Sequence, residues 1–576
     1  MKKFLANLSR WRSKLSKSDC VFLLLGALLI AGLLFFLGKD VSYDFLHYQF
    51  YNAYAVLTGR LGSDFFPVGL HSTLNPLVGL IPYLLIAHTN TAVVFIFWWL
   101  VEVALWLAIF VLVRAVMAYL CLWSAKKCFP VLSLVNYGLT TAMFFTATVL
   151  GELGANLYDS HLSLFLVLAL IVVLKRRQRW WSWLVMGVLF GAATGAKLTF
   201  APYGVALVVA VLIASWKNRQ QWRVALKTSS LVFLGEVIGF LLTAAWWMCL
   251  MSSHFQSPIF PYFNNIFRSE LALTETSYRD ERYGGWSLGE GALLPFRWLG
   301  DYSLVSEQFF FNLNITLAYV VVLAAFVWWL VRRQSWRRTL KAQPKLDKFY
   351  AIFKFTLVFW LLSYTLWLKV FAIYRYLSFL EIISPLTVLV LIAAALKLAG
   401  KQFSLKKQRI WRKIGLGVLM SLMVASLLPT IIPNWGRLPW HSGKYWQIDQ
   451  VTLPSPSKST IFVYREALGF VLPFLPPEAR LVRIQGSVLD SFDEVQLHDV
   501  LTKTQYWQDQ LSNFAAVDDD FYLLKLLWRD SEAAHDVAEL GFEWDEERDC
   551  QLLTGQFFET AYYPVQLCTL HALAND

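Results

Sequence analysis

The sequence predicts a polytopic α-helical membrane protein that ends in a small soluble α/β domain, and three observations carry that expectation. The 576 residues are 57% hydrophobic and 16% aromatic, with a mean hydropathy of +0.50. Their apolar residues come in repeated blocks of about 15–25, the length that crosses about 30 Å of hydrocarbon as helix, rather than in the stripes of a soluble core. Charge is also divided. Asn434 to Asp576 holds 10 Lys and Arg against 22 Asp and Glu, a net of −12, so the rest of a chain whose formal total is +12 carries +24. That asymmetry points away from nucleic acid. It predicts basic loops on the cytoplasmic side and an acidic soluble tail on the other.

The elements follow in order. Residues 1–19 read as a basic cytoplasmic N-terminus, with Lys2, Lys3, Arg10, Arg12, Lys14 and Lys17. Further basic clusters lie at Lys126-Lys127, Lys175-Arg176-Arg177, Lys217 to Lys227, Arg332 to Lys348 and Lys397 to Lys413. Placing all of them in the cytoplasm requires an even number of crossings between neighbours. The apolar runs Cys20–Leu37, Thr91–Leu120, Val131–Leu150, Leu162–Leu174, Trp183–Ala196, Phe200–Ala214, Ser229–Met251, Leu317–Val331, Ile352–Leu368, Leu377–Leu396 and Ile414–Ile432 then give about eleven transmembrane helices. Pro76–Ala87 is short for a crossing, and counting it would put Lys126-Lys127 outside, so it reads as an interfacial helix. No A-x-A-like cleavage site follows the first run, which therefore reads as a retained span.

Residues 20–432 thus form a transmembrane domain with outer loops at 38–90, 151–161 and 252–312, and residues 433–576 an outer α/β domain. Its strands are expected at "TIFVY", "ARLVRI", "DFYLLKLLW" and "YYPVQLCTL", with a helix near Ser531–Leu540. Cys20, Cys121, Cys128 and Cys249 lie in or beside apolar runs and read as small buried residues. Cys550 and Cys568 share the tail, where an oxidising compartment would join them and a reducing one would leave two thiols.

The candidate functional residues gather on the outer face. The first loop supplies Asp40, Asp44, His47, Asp64 and His71, and "GELGANLYDSH" supplies Glu152, Asp159 and His161. Lys197 ends the Gly/Ala-rich "GAATGAKLTFAP", whose small residues permit close helix packing. Arg375 stands between Tyr374 and Tyr376 in "LKVFAIYRYLSF", with Lys369 just before. Transfer from a lipid-linked phosphate donor needs such a set: cations for a phosphate held at the interface, and a carboxylate to take the proton of an acceptor hydroxyl. A divalent ion on carboxylates would stabilise the same leaving group. Each residue also has a plainer role open to it. Asp64 can cap a turn, Lys197 can snorkel, and the tyrosines can belong to an interfacial belt. Glu102, Arg114, Glu236 and Glu381 fall inside apolar runs; Glu381 is near enough to the outer end to neighbour Arg375, and Glu102 has no evident partner.

Over residues 15–400 this order of elements resembles the GT-C superfamily of integral membrane glycosyltransferases, which includes oligosaccharyltransferases, protein O-mannosyltransferases and the aminoarabinose transferases of lipid A. Asp44 in "SYDFLHYQFYNAYAVLTGRL" matches the acid that follows the first span in that family, and "HSTLNPL", with His71, resembles the signature after it. "GELGANLYDSH" stands where the second acidic loop belongs, "GAATGAKLTFAP" resembles the Gly-rich hairpin ending in Lys, and "YRYLSFLEII" resembles the late Arg-Tyr element. The resemblance implies a GT-C-like fold and sugar transfer from a polyprenyl-phosphate donor to a glycan, lipid or protein acceptor, with inversion. It implies Asp44, with Glu152 and Asp159, in catalysis, and Lys197, Arg375, His71, Tyr374 and Tyr376 in substrate binding. Mg or Mn is a cofactor it allows, on Asp44, Glu152 and Asp159. The chain departs from the family in having a lone Asp44 rather than Asp-Glu, and no Asp-x-Asp in the second loop. The expected setting is a bacterial inner membrane, N-terminus cytoplasmic and C-terminus periplasmic. A flippase for a lipid-linked saccharide and a non-catalytic scaffold are the alternatives.

Overall fold

Apolar runs become helices wherever nothing interrupts the backbone ladder. The computed structural model describes residues 15–120, 129–175, 179–216, 221–269, 282–343, 346–399, 430–464, 467–484 and 520–573. α1 (Lys17–Leu37) leads into the first loop, which holds α2 (Phe50–Leu57) and α3 (Leu80–His88). α4 (Thr91–Tyr119), α5 (Phe129–Phe144), the short α6 (Ala147–Gly151) and α7 (Asp159–Lys175) follow. Then come α8 (Trp180–Ala196), α9 (Ala201–Ser215), α10 (Trp222–Phe255) and the loop helix α11 (Leu288–Arg297). α12 (Asn314–Ala342), α13 (Asp347–Val370) and α14 (Ser378–Ala399) complete the bundle.

Seven of these helices, α1, α4, α9 with its lead-in turn, α10, α12, α13 and α14, are long and apolar enough to cross a membrane, consistent with a multi-pass membrane protein. The expected eleven spans are met only in part. Val131–Leu150 is broken, because Thr146 leaves the ladder and its side-chain oxygen accepts from Val149 N at 3.3 Å, starting α6 afresh. Leu162–Leu174 and Trp183–Ala196 lie in the 17-residue helices α7 and α8. Ile414–Ile432 lies almost wholly outside the described residues, as do Lys126-Lys127 and Arg176-Arg177.

Arg114 finds its partner at the end of the bundle where the chain enters. Its guanidinium pairs with Asp19 at 2.9 Å, and Tyr137 donates to the other Asp19 oxygen at 2.9 Å, so one carboxylate joins α1, α4 and α5. The small residues of the 183–214 hairpin do permit close helix packing, and the helix they bring close is α10. A Cβ at Gly187 or Gly191 would stand 2.0 Å from the carbonyl oxygen of Val232 or Glu236, so these glycines seat α8 on α10. Gly235 and Gly239 reciprocate against Leu184 and Val188. Backbones this close hold the end of α8, and with it Lys197, in one place.

The tail forms a mixed sheet. After β1 (Lys39–Asp40) and β2 (Arg437–Leu438), which pair with each other, come β3 (Ser459–Tyr464), β4 (Arg480–Ile484), β5 (Asp520–Leu526), β6 (Phe542–Glu543), β7 (Cys550–Leu552) and β8 (Val565–Ala572). The order is β4-β3-β5-β8-β6, with β7 also on β8; β3 runs parallel to β4 and β5, and β8 antiparallel to β5. The four expected strand segments are β3, β4, β5 and β8, and the expected helix is α15 (Asp530–Glu539). Cys550 and Cys568 stand opposite one another in β7 and β8 and are joined by a disulfide.

This tail is fastened to the first loop. Phe65 forms a parallel bridge to Val482. Arg60 donates to the carbonyls of Pro477 and Ala479, and Asp64 accepts from Leu481 N at 3.2 Å while pairing with Arg60 at 2.6 Å. Asp64 is therefore a clamp between loop and sheet, where a turn cap was the simple reading.

Candidate functional site

Four side chains from four separate elements meet at one end of the bundle. Asp44 sits in the helical turn that enters α2, Asp159 opens α7, Lys197 closes α8, and Arg375 lies in the 3₁₀ turn Tyr374–Leu377 before α14. Arg375 reaches Asp44 at 3.0 Å and Asp159 at 3.4 Å. Lys197 reaches the same Asp159 oxygen at 2.7 Å and the carbonyl of Leu157 at 2.7 Å. The result is an alternating chain, Asp44–Arg375–Asp159–Lys197, with two charges of each sign. Asp159 is 1% exposed, but Asp44, Arg375 and Lys197 keep 19, 12 and 18% of their side chains accessible. A ligand can therefore touch the cations without unpacking the fold.

Local backbone chemistry aims each of these groups. Ala372, at a φ of 53°, reverses the chain between α13 and α14, and Tyr374 N donates to Val305 O at 2.7 Å, which fixes the Arg375 turn against the loop after α11. Asn75 donates to the carbonyls of Gly195 and Thr243 at 3.0 and 3.1 Å, fastening the first loop to the end of α8, beside Lys197, and to α10. Asp40, wholly buried, accepts from the backbone and side chain of Asn156 at 2.7 and 2.9 Å. It joins the first and second loops and is not part of the charged surface.

The remaining expected residues divide. Tyr376 lies under the cluster, its ring 5.5 Å from both Lys197 Nζ and the Arg375 guanidinium carbon. His71 stacks on Tyr48 at 4.5 Å and meets His47 at 5.1 Å, on the Asp44 side. Tyr374 turns the other way: its hydroxyl donates to Glu381 at 2.8 Å and its ring packs on Phe310 and Trp298, so it is a packing residue. Glu152 is fully buried behind Asp159, accepts from Ser160 N at 2.7 Å, and leaves Oε1 without a hydrogen-bond partner. Trp435, just past the last expected span, was not anticipated. Its ring lies 5.2 Å from the Arg375 guanidinium, and the only signal for it was an aromatic in the "PNWGR" that follows the last expected span.

Electrostatics separate the acids. Burial alone would lift the Asp44 carboxyl, but Arg375, then Lys197 and His71, outweigh it and hold Asp44 below the ordinary carboxylate value. Burial pushes Glu152 up, and the neighbouring Asp159 carboxylate pushes it further. Asp44 is thus an ionised acceptor and Glu152 a reluctant acid.

The chain matches no family model, no curated protein and no solved structure. Its function must be argued from the site.

The donor set can be tested against a divalent ion. Asp44 and Asp159 already face Arg375 and Lys197, and one oxygen of Glu152 remains. Among the described residues no three His, Cys, Asp or Glu side chains converge as a metal-holding group. The side chains as arranged neutralise their carboxylates with protein cations and do not fit Mg or Mn.

The acids inside apolar runs are accounted for differently. Glu102 meets His161 at 2.8 Å and Gly154 N at 3.3 Å, which supplies the partner that the sequence did not reveal. Glu381 accepts from Thr148 N at 3.0 Å, from the Thr148 hydroxyl and from Tyr374, and Arg375 is not among its hydrogen-bond partners.

Proposed function

We propose that the chain is a GT-C-like membrane glycosyltransferase of about eleven spans. It moves a sugar from a polyprenyl-phosphate donor to a glycan, lipid or protein acceptor at the membrane face that bears Asp44. The observation that supports this reading is the partly open Asp44–Arg375–Asp159–Lys197 chain at the end of an apolar bundle. A lipid-linked phosphate keeps its tail among the helices and its headgroup at that level, where a guanidinium and an ammonium can take its charge.

The reaction is one displacement. Asp44 takes the proton of the acceptor hydroxyl, the acceptor oxygen bonds to the anomeric carbon, and the bond from that carbon to the phosphate oxygen breaks with its electron pair. Lys197 and Arg375 meet the charge that grows on the departing phosphate, and the anomeric centre inverts. The ion pairing also sets the order of events. While no donor draws on Arg375, the guanidinium beside Asp44 keeps that carboxylate a weak base. A donor phosphate that draws on the guanidinium relieves that hold and raises the basicity of Asp44 only once the donor is bound. Tyr376 and Trp435 supply flat apolar faces beside the cations. On this reading the face is periplasmic, the N-terminus is cytoplasmic, and the setting is a bacterial inner membrane.

The test uses the full chain in liposomes with a labelled polyprenyl-phosphate sugar and an envelope fraction as acceptor. Label is expected in the acceptor, with donor binding weakened at least tenfold by Lys197→Ala. One observation favours movement of the lipid-linked sugar across the bilayer instead. Glu236, midway along α10 beside Gly204, has a buried carboxyl oxygen with no hydrogen-bond partner, the kind of mid-span acid that transport pathways use. Label that crosses the bilayer without joining an acceptor, and stops crossing in Glu236→Gln, would replace the transferase reading.

A further inference from the structure

The helix α11, in the loop between α10 and α12, has three kinds of side. At roughly 100° per residue, Leu288, Ala292, Phe296 and Leu293 share one continuous arc, all exposed. Glu290 and Arg297 adjoin that arc, also exposed, while Gly291, Leu294, Pro295 and Trp298 are buried and close the circle. Ser287 caps the first turn in a reciprocal box with Glu290, so the charged side is also the side that starts the helix.

The buried side is seated on the ends of two spans. Pro295 has no N–H to give the carbonyl of Gly291, and the Tyr364 hydroxyl of α13 supplies that bond at 2.7 Å. Tyr319 and Thr316 of α12 donate to the carbonyls of Ala292 and Pro295 at 2.9 and 2.6 Å. A Cβ at Gly291 would stand 2.1 Å from Leu368, so the helix rests directly on α13. Phe296 of the exposed arc meets the Tyr319 ring of α12 at 6.0 Å, and beside Tyr319 the spans turn apolar residues outward, with Val320 and Leu323 of α12 and Val370 of α13 exposed.

We infer that α11 lies in the plane of the bilayer leaflet at the end that bears Asp44, with the Leu288–Ala292–Leu293–Phe296 arc among acyl chains and Glu290 and Arg297 in water. Apolar arc toward the spans' lipid-facing surface, charges beside it and a third side on protein is the disposition of an interfacial helix, which sinks about 5–10 Å into the headgroup boundary. The occupant of the exposed face is therefore lipid. Seating has a consequence for the site, because Trp298 at the end of α11 packs on the Tyr374 ring at 5.4 Å, next to Arg375. The inference is independent of what reaction the cluster performs.

Spin labels test it. In the full chain with Cys20, Cys121, Cys128 and Cys249 replaced, single cysteines are introduced as Leu293→Cys, Phe296→Cys, Glu290→Cys and Arg297→Cys, labelled with a nitroxide, and reconstituted in phosphatidylglycerol–phosphatidylethanolamine liposomes. Labels at 293 and 296 are expected to collide several-fold more with oxygen than with a nickel chelate, and labels at 290 and 297 the reverse. If 293 and 296 are as open to the chelate as 290 and 297, the helix stands in water. If they are shielded from both reagents, protein covers the arc. Either result overturns the inference.

Discussion

The charged cluster and the buried acids of the spans show two ways of keeping a carboxyl in this bundle. Asp44 and Asp159 face full charges, Arg375 and Lys197, on a surface where three of the four side chains remain partly accessible. Glu102 and Glu381 are completely buried. Their partners are a histidine, a tyrosine, a threonine and backbone N–H groups, all within the protein. The first arrangement can exchange a partner for a ligand, because a phosphate can take the place of a carboxylate before the same cation. The second has no such freedom, since breaking any bond leaves a polar atom stranded in an apolar interior. An ionic cluster at the bundle end is therefore where chemistry is expected, and buried, hydrogen-bonded acids inside it are expected to hold helices together.

Substitutions can break that contrast, and Arg375→Met should act most strongly. It leaves two carboxylates facing one another with Lys197 alone between them. Stability should fall by about 3–5 kcal/mol, as when one partner of a buried pair is removed, and donor binding should be lost; thermal unfolding in detergent and donor titration measure the two. Lys197→Ala is milder. Asp159 keeps Arg375, so donor affinity should fall by about 1.5–3 kcal/mol, the worth of one charged hydrogen bond, with little change in unfolding.

Glu152→Gln sharpens the contrast through pH. Its folded-state value lies above the unfolded one, so folded and unfolded chains hold the same proton below pH 4.5. As pH climbs past that value, the unfolded state gains by ionising and the wild type is penalised. The Gln variant keeps an oxygen for Ser160 N and escapes the penalty. It should match wild type at pH 4 and exceed it at pH 8 by on the order of 1–3 kcal/mol, read from unfolding midpoints at the two pH values. Glu381→Gln should matter least. It retains an acceptor for Thr148 and should cost about 1 kcal/mol while leaving transfer unchanged. A large loss of transfer in this variant would mean that the buried acids share in the chemistry.

Much of this was legible in the sequence for definite reasons. Apolar runs of membrane-spanning length read as helices even where a single charge interrupts them, and "TIFVY" and "DFYLLKLLW" read as strands, so the class and the tail sheet followed. Asp44, Asp159, Lys197 and Arg375 could be singled out because each is an ionisable residue beside an apolar run on the face opposite the basic clusters, so that their loops share one membrane surface. Other features were hidden by distance along the chain. Arg60 and Ala479 are 419 residues apart, and nothing local in either announces their bond. The fate of Tyr374 and Tyr376 was hidden by geometry instead. In a tight 3₁₀ turn, neighbours two apart leave on different sides, one toward Glu381 and one under the cations. The break at Thr146 was masked by an apolar run that continues through it.

The most direct test of the central claim compares wild type with Asp44→Asn in the reconstituted system, measuring donor binding and label transfer separately. Asparagine fills the same space but cannot take a proton, so donor binding should survive while transfer falls by about 10²–10⁴, the usual contribution of a positioned base. Transfer that persists at the wild-type rate in Asp44→Asn would contradict the account.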